Sequence, residues 1–181
     1  HLLTVPKVIS EGGGIRIFGR RIKSLVFSTD VAIIKNVNAD AIIAVYPFTP
    51  QPSITQAIIS VSEVPVFVGV GGGMTNGDRS VRLAEFSEHQ GASGVVVNAP
   101  ISNETIAKMK AVVDIPVVTT IVSGDMDIAG RLAAGADILN VSGASRTPEI
   151  VTKSRAEFPT VPIIATGGPR EEDILRTIEA G

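Results

Sequence analysis

Hydrophobic positions along this chain fall in short unbroken runs rather than in alternation with polar ones. Three runs follow a proline: VPVFVGVGGG at 64–73, IPVVTTIVSGD at 115–125 and VPIIATGGP at 161–169. Their prolines, Pro65, Pro116 and Pro162, stand 51 and 46 residues apart. A second kind of run opens on small residues: NADAIIAVYPF at 38–48, GASGVVVNAP at 91–100 and GADILNVSG at 135–143. Continuous apolar runs of this length are the pattern of parallel strands covered on both faces. The pattern predicts strands at 23–28, 40–46, 65–70, 94–98, 116–121, 137–141 and 162–166.

The segments between the runs have helical spacing and helix-end chemistry. Residues 76–91 place Val81, Leu83, Ala84 and Phe86 on one side and end at Gly91, a C-terminal glycine. Residues 102–114 open on Ser102 or Asn103, 126–136 on Asp127, and 147–159 on Thr147 followed by Pro148 and Glu149. Residues 169–181 carry Glu171 and Glu172 in a first turn, where acids suit the helix dipole. Strand and helix therefore alternate, and the two-strand unit recurs every 44 to 53 residues. Strict alternation implies a parallel sheet with right-handed crossovers. The repeat points to an α/β fold, a (β/α)8 TIM barrel truncated before strand eight. A flavodoxin-like open sheet is the alternative, but it leaves the two-unit repeat unexplained.

Gly181 lies 46 residues after Gly135, where an eighth strand is due. Two readings follow: the eighth strand lies beyond this sequence, or seven strands form a half-open barrel that dimerises through its edges. The expected organisation is one barrel domain over 1–181. Residues 1–22 form an N-terminal cap, read as a hairpin of KVIS and IRIFG around EGGG, and 23–181 carry the strands with their helices.

Composition narrows the field. Cysteine is absent, which excludes disulfides and thiol-held metals and suits a cytoplasmic protein. Two histidines exclude a His-rich metal site, and no apolar run is long enough to span a membrane. A net charge of −2 with no basic cluster beyond Arg20, Arg21 and Lys23 gives nucleic-acid binding little support.

In barrels of this kind chemistry sits at the C-terminal ends of the strands. The most specific signal there is ATGGPREED, a Gly-Gly turn between a strand and a helix N-terminus, where backbone N–H groups can approach an anion. With IPVV, GADIL and VPIIATGG over 115–181, it resembles the phosphate-binding loop of the ribulose-phosphate-binding barrel superfamily. That resemblance implies phosphate contacts from Gly167 and Gly168, lined by Ser142 and Gly143. The alternative is that Gly-Gly only permits a tight turn. The glycine-rich GVGGGMTNGDRS at 69–80 does not have the spacing of a dinucleotide fingerprint and reads as a long loop.

The acid/base candidates are Asp30 and Asp125; Asp30 can equally cap the following helix. Asp125 can also hold Mg²⁺ beside a substrate phosphate, the only cofactor the sequence suggests. Tyr46, Asn98, Thr120 and Asn140 end strands and are candidate substrate-binding groups, since a polar side chain ending an apolar run needs a partner. None of the six lysines ends a strand, so a Schiff-base aldolase is not supported. The Asp-x-Lys-x-x-Asp run of decarboxylase relatives is also missing. The expected ligand is a small phosphorylated molecule, handled by isomerase, lyase or hydrolase chemistry. A second reading is a non-catalytic sensor, because the layout also resembles the glycerol-uptake operon antiterminator proteins.

Overall fold

An N-terminal hairpin, β1 (Ile15–Ile17) and β2 (Arg20–Ile22), precedes seven parallel strands laid side by side in chain order. They are β3 (Leu25–Phe27), β4 (Ala41–Ala44), β5 (Val66–Gly71), β6 (Gly94–Val97), β7 (Val117–Ile121), β8 (Ile138–Val141) and β9 (Ile163–Ala165). The helices between and after them are α1 (Val31–Asn36), α2 (Pro52–Val61), α3 (Gly77–Gln90), α4 (Asn103–Val112), α5 (Ile128–Ala134), α6 (Thr147–Glu157) and α7 (Glu171–Glu179). This computed structural model describes residues 3–181; His1 and Leu2, part of the expected N-terminal cap, lie outside the described residues.

Strictly sequential strand order removes the flavodoxin-like alternative, whose sheet reverses direction at a switch point. Each repeat proline has a definite place in the ladder. Proline has no N–H to donate, so it stands at a strand start and offers only its carbonyl. Pro65 accepts from Ile42 at 2.9 Å, Pro116 from Val95 at 3.0 Å and Pro162 from Leu139 at 3.0 Å. The acids of the second run type work at the same end of the sheet. Asp40 accepts from the backbone N–H of Lys23, and Asp137 from that of Val117.

Alternation along the strands sorts the side chains into two layers. Outward-facing Ile42, Val66, Val68, Val70, Val95 and Val117 pack with Ile58, Ile106 and Met109 of the helix ring. Inward-facing Ala41, Ile43, Phe67, Val96, Val118, Ile138 and Ile164 converge in one cluster, so the sheet is curled around a filled interior. The hairpin adds Ile15, Ile17 and Ile22 to that cluster and plugs the floor. Burying an isoleucine side chain contributes about 1.5–3 kcal/mol, which anchors the plug. Gly94 makes room for the largest of these groups: a Cβ there would meet Phe67 Cδ1 at 2.4 Å.

Two details differ from the sequence expectation. The hairpin turns at Phe18 and Gly19, both with positive φ (48° and 79°), rather than around EGGG. Left-handed backbone at two successive residues matches the twist of a tight hairpin. Residues 7–11 are a 3-10 turn instead of a strand. Thr147, expected as an N-cap, is itself the first helical residue, and its hydroxyl accepts from the N–H of Gly143. Ser102 and Asp127 cap α4 and α5 as their side chains suggest, and Gly91 and Gly135 end α3 and α5 in left-handed conformation.

The curled sheet does not close. β3 and β9 are its two edges, and no ladder joins them. Between them runs a groove of about 910 Å³ lined by Leu25, Phe27, Ile164, Thr166, Ile174 and Ile178, among others.

Candidate functional site

Residues facing inward near the strand C-termini form the wall of the barrel mouth. On β7 and β8 these are Thr120 and Asn140, paired in register, and by the same alternation Ser142 and Thr166 follow at the ends of β8 and β9. They form a polar band of two hydrogen-bonded pairs. Asn140 Nδ2 donates to Thr120 Oγ1 at 3.4 Å, and Thr166 Oγ1 donates to Ser142 Oγ at 3.3 Å. Thr166 leads directly into Gly167, Gly168 and α7.

Asn140 is the least comfortable member of the band. It is 4% exposed, and its Oδ1 has no hydrogen-bond partner. A buried acceptor without a donor costs about 1–3 kcal/mol, so such groups are few and each calls for a partner or a role. Thr119 Oγ1 is also buried and unpartnered, but it faces the helix ring.

Across the mouth the wall is apolar and hollow. Phe27 and Val45 are partly exposed there, at 47% and 38%. Gly69 holds an inward position of β5, and Val45 sits over it. Gly71 and Gly72 have φ of 116° and 112°, which turns the loop under Asn98; a Cβ on Gly72 would lie 2.7 Å from the Asn98 backbone nitrogen. The glycine-rich loop is thus a backbone packing device.

The Gly-Gly turn at the end of β9 has two steric reasons of its own. A Cβ on Gly167 would meet Ile174 at 2.7 Å, and one on Gly168, where φ is 88°, would meet Asp173 at 2.8 Å. Among the described residues the N–H groups of Gly167 and Gly168 have no acceptor. The first turn of α7 already carries Glu171, Glu172 and Asp173. Asp173 is clamped by Arg170 and Arg176 (3.2 and 2.7 Å). The hydrogen bond from Arg170 is the main cause holding the Asp173 carboxyl below the ordinary aspartate value, and Asp173 in turn raises Arg170.

Thr120, Asn140, Ser142, Gly167 and Gly168 stand on three neighbouring strands, and the structure gathers them. Thr166 belongs with them; it ends an apolar run as Asn140 does, and that was its only signal. Asp30, Tyr46 and Gly143 are engaged elsewhere, and Asn98 and Asp125 are exposed. Asp30 caps α1, its carboxylate accepting from the N–H groups of Ala32 and Ile33. Tyr46 lies past the end of β4, and its hydroxyl accepts from Gln51 N–H at the start of α2 (2.8 Å). Gly143 cannot offer its N–H to a phosphate, because it donates to Thr147 Oγ1 at 2.9 Å. Asn98 is exposed on the rim beside the glycine loop. Asp125 is exposed on the loop after β7, which Lys153 of α6 ties toward the helix ring through the Gly124 carbonyl (2.7 Å).

Mg²⁺ is usually held by one or two carboxylates together with substrate phosphates. Asp125 offers one carboxylate, and Asp127 spends its own on Gly130 N–H. No group of three or more His, Cys, Asp or Glu that could hold a metal occurs among the described residues. No helix among them is long and apolar enough to cross a membrane.

No family model matches the sequence, and no curated protein matches it. Solved structures do. A proposed phosphonomutase from Burkholderia cenocepacia is 16% identical, over 87% of this chain and 82% of its own, with a TM-score of 0.68. A phosphonopyruvate hydrolase solved with oxalate and Mg²⁺ is 15% identical, over 88% and 73%, with a TM-score of 0.66. A proposed deoxyribose-phosphate aldolase from Coccidioides immitis is 15% identical, over 97% and 81%, with a TM-score of 0.69. At these identities the likeness shows the fold, that of the TIM barrels, of which this chain presents seven strands.

Proposed function

We propose that this barrel binds a small phosphorylated metabolite at the C-terminal mouth of its sheet and acts on it. The observation that carries this reading is the neutral polar band of Thr120, Asn140, Ser142 and Thr166, with an unpaired buried oxygen, running into a Gly-Gly turn with unused N–H groups. A phosphate on that turn accepts from Gly167 and Gly168, and the band orients the rest of the molecule. The neighbours named above include a mutase, a hydrolase and an aldolase, which fits isomerase, lyase or hydrolytic chemistry on a phosphorylated substrate.

Asp125 is the acid left for proton transfer, because Asp30 is committed to its cap. In this reading the loop after β7 brings Asp125 over the mouth once substrate is bound. A specific observation favours a second reading, in which the protein senses the phosphometabolite without turning it over. Every member of the band is neutral, and the Lys153 tie holds the Asp125 loop outward.

Thermal-shift titration tests the shared premise. Inorganic phosphate and a panel of sugar and triose phosphates are titrated into the wild type and a Thr166→Asp variant, which sets a carboxylate beside the turn at an exposed position. A ligand at 100 times its Kd stabilises by about 2.7 kcal/mol. The expected result is a shift with at least one phosphoester, lost in the variant. No shift with any of them overturns the reading. Product analysis with the ligand so found separates enzyme from sensor.

A further inference from the structure

We propose that Asn140 sets the ligand's chemistry: it selects a hydroxyl group on the part of the molecule remote from the phosphate and refuses a carboxylate there. This rests on the phosphate reading above and deepens it.

The wall facing that part of the ligand contains no charge. Thr120, Asn140, Ser142 and Thr166 are neutral; of the basic groups around the following loops, Arg170 is held by Asp173, Arg146 by Glu149 and Lys153 by the Gly124 carbonyl. A ligand carboxylate at the band would therefore lose its water with no cation to meet it. Its only donors there would be neutral hydroxyls and an Asn140 Nδ2 already directed to Thr120. A hydroxyl meets the same wall differently, since it donates and accepts.

The amide is placed for this exchange. Its Nδ2 is directed to Thr120 by a long bond of 3.4 Å, which leaves Oδ1 as the free acceptor. Thr120 is half-buried, so a ligand can settle against it. The terminal torsion of asparagine is broad, and a small turn about it brings Oδ1 to a hydroxyl lying on Thr120. That hydroxyl gives the buried oxygen the donor it lacks.

Spacing places the hydroxyl away from the phosphate. Asn140 pairs with Ile164, and Gly167 lies three residues on, just past the end of β9. At 3.3 Å per residue and 4.8 Å between strands, the two Cα positions are about 11 Å apart. The reach of the Asn140 side chain and the hydrogen bonds at either end shorten this to the span of a short carbon chain, about four atoms.

The test uses inorganic phosphate and three four-carbon monoesters: butyl phosphate, 2,3,4-trihydroxybutyl phosphate and 3-carboxypropyl phosphate. Each is titrated calorimetrically into the wild type, Asn140→Leu and Thr120→Val. In the wild type the trihydroxy ester should bind roughly tenfold more tightly than butyl phosphate, and the carboxy ester more weakly than either. In Asn140→Leu the hydroxyl preference should vanish while inorganic phosphate binds as before; Thr120→Val should retain it in part. Equal affinity of the three esters in the wild type, or a preference that survives Asn140→Leu, overturns this inference and leaves the phosphate reading standing. Failure of phosphate and all esters to bind overturns the phosphate reading and this inference with it.

Discussion

Replacing Asn140 with leucine should stabilise the protein. In the wild type Oδ1 is buried without a donor, a cost of about 1–3 kcal/mol. The only bond the side chain makes, to Thr120 at 3.4 Å, is long and returns less than about 1 kcal/mol. Leucine has the same branched shape and number of side-chain heavy atoms, removes the orphaned acceptor and joins Ile138 and Ile164 on the inner face, its somewhat larger volume taking part of the gain. Thr120 loses a weak partner, but it is half-exposed and water can serve it. The net expectation is a gain of about 1–2 kcal/mol. For a chain of this size each kcal/mol moves the Tm by about 2–4 °C, so the rise should be about 2–8 °C. Calorimetry gives the Tm, and urea unfolding should show a higher midpoint with an unchanged slope. Thr119→Val is the matched control. It removes another orphaned oxygen, on the outer face, and should also stabilise without touching ligand affinity. A lower Tm for Asn140→Leu refutes the view that this residue is kept at the expense of stability.

Further expectations concern the interior and α7. Gly94→Ala should destabilise by about 1–3 kcal/mol, because its Cβ displaces the fully buried Phe67; adding Phe67→Leu should recover part of that loss in a double-mutant cycle. Asp173 should titrate below the ordinary aspartate range, and Arg170→Ala should move its NMR midpoint upward. Because its folded value is depressed, the contribution of Asp173 is present above the unfolded value and lost only as pH falls through the folded one, so α7 should loosen at its N-terminus under acid and hold at neutral pH.

Much of the architecture was legible because it rests on local rules. The repeat prolines mark strand starts because a residue without an N–H serves the ladder through its carbonyl alone, and Pro65, Pro116 and Pro162 all do so. Asp30 and Asp127 were readable as caps for the same kind of reason. What stayed hidden depends on direction rather than identity. Tyr46 and Asn140 both follow apolar runs, yet Tyr46 lies beyond the strand end and binds Gln51, while Asn140 lies within β8 on the inner face. Gly143 looked like Gly167 in sequence. Only the fold shows that its N–H is taken by Thr147, four residues on. The hairpin was misplaced because three consecutive glycines outweighed Phe18-Gly19 as a turn signal, although a non-glycine residue at positive φ forms the turn.

The most direct test of the account follows the backbone amides of Gly167 and Gly168 by nitrogen-15 NMR while inorganic phosphate and then 2,3,4-trihydroxybutyl phosphate are added. The account predicts that both amide signals move saturably with each ligand, and that the Asn140 side-chain amide moves with the ester alone. Signals at 167 and 168 that stay in place, while resonances elsewhere move or none do, would contradict a phosphate site at the mouth.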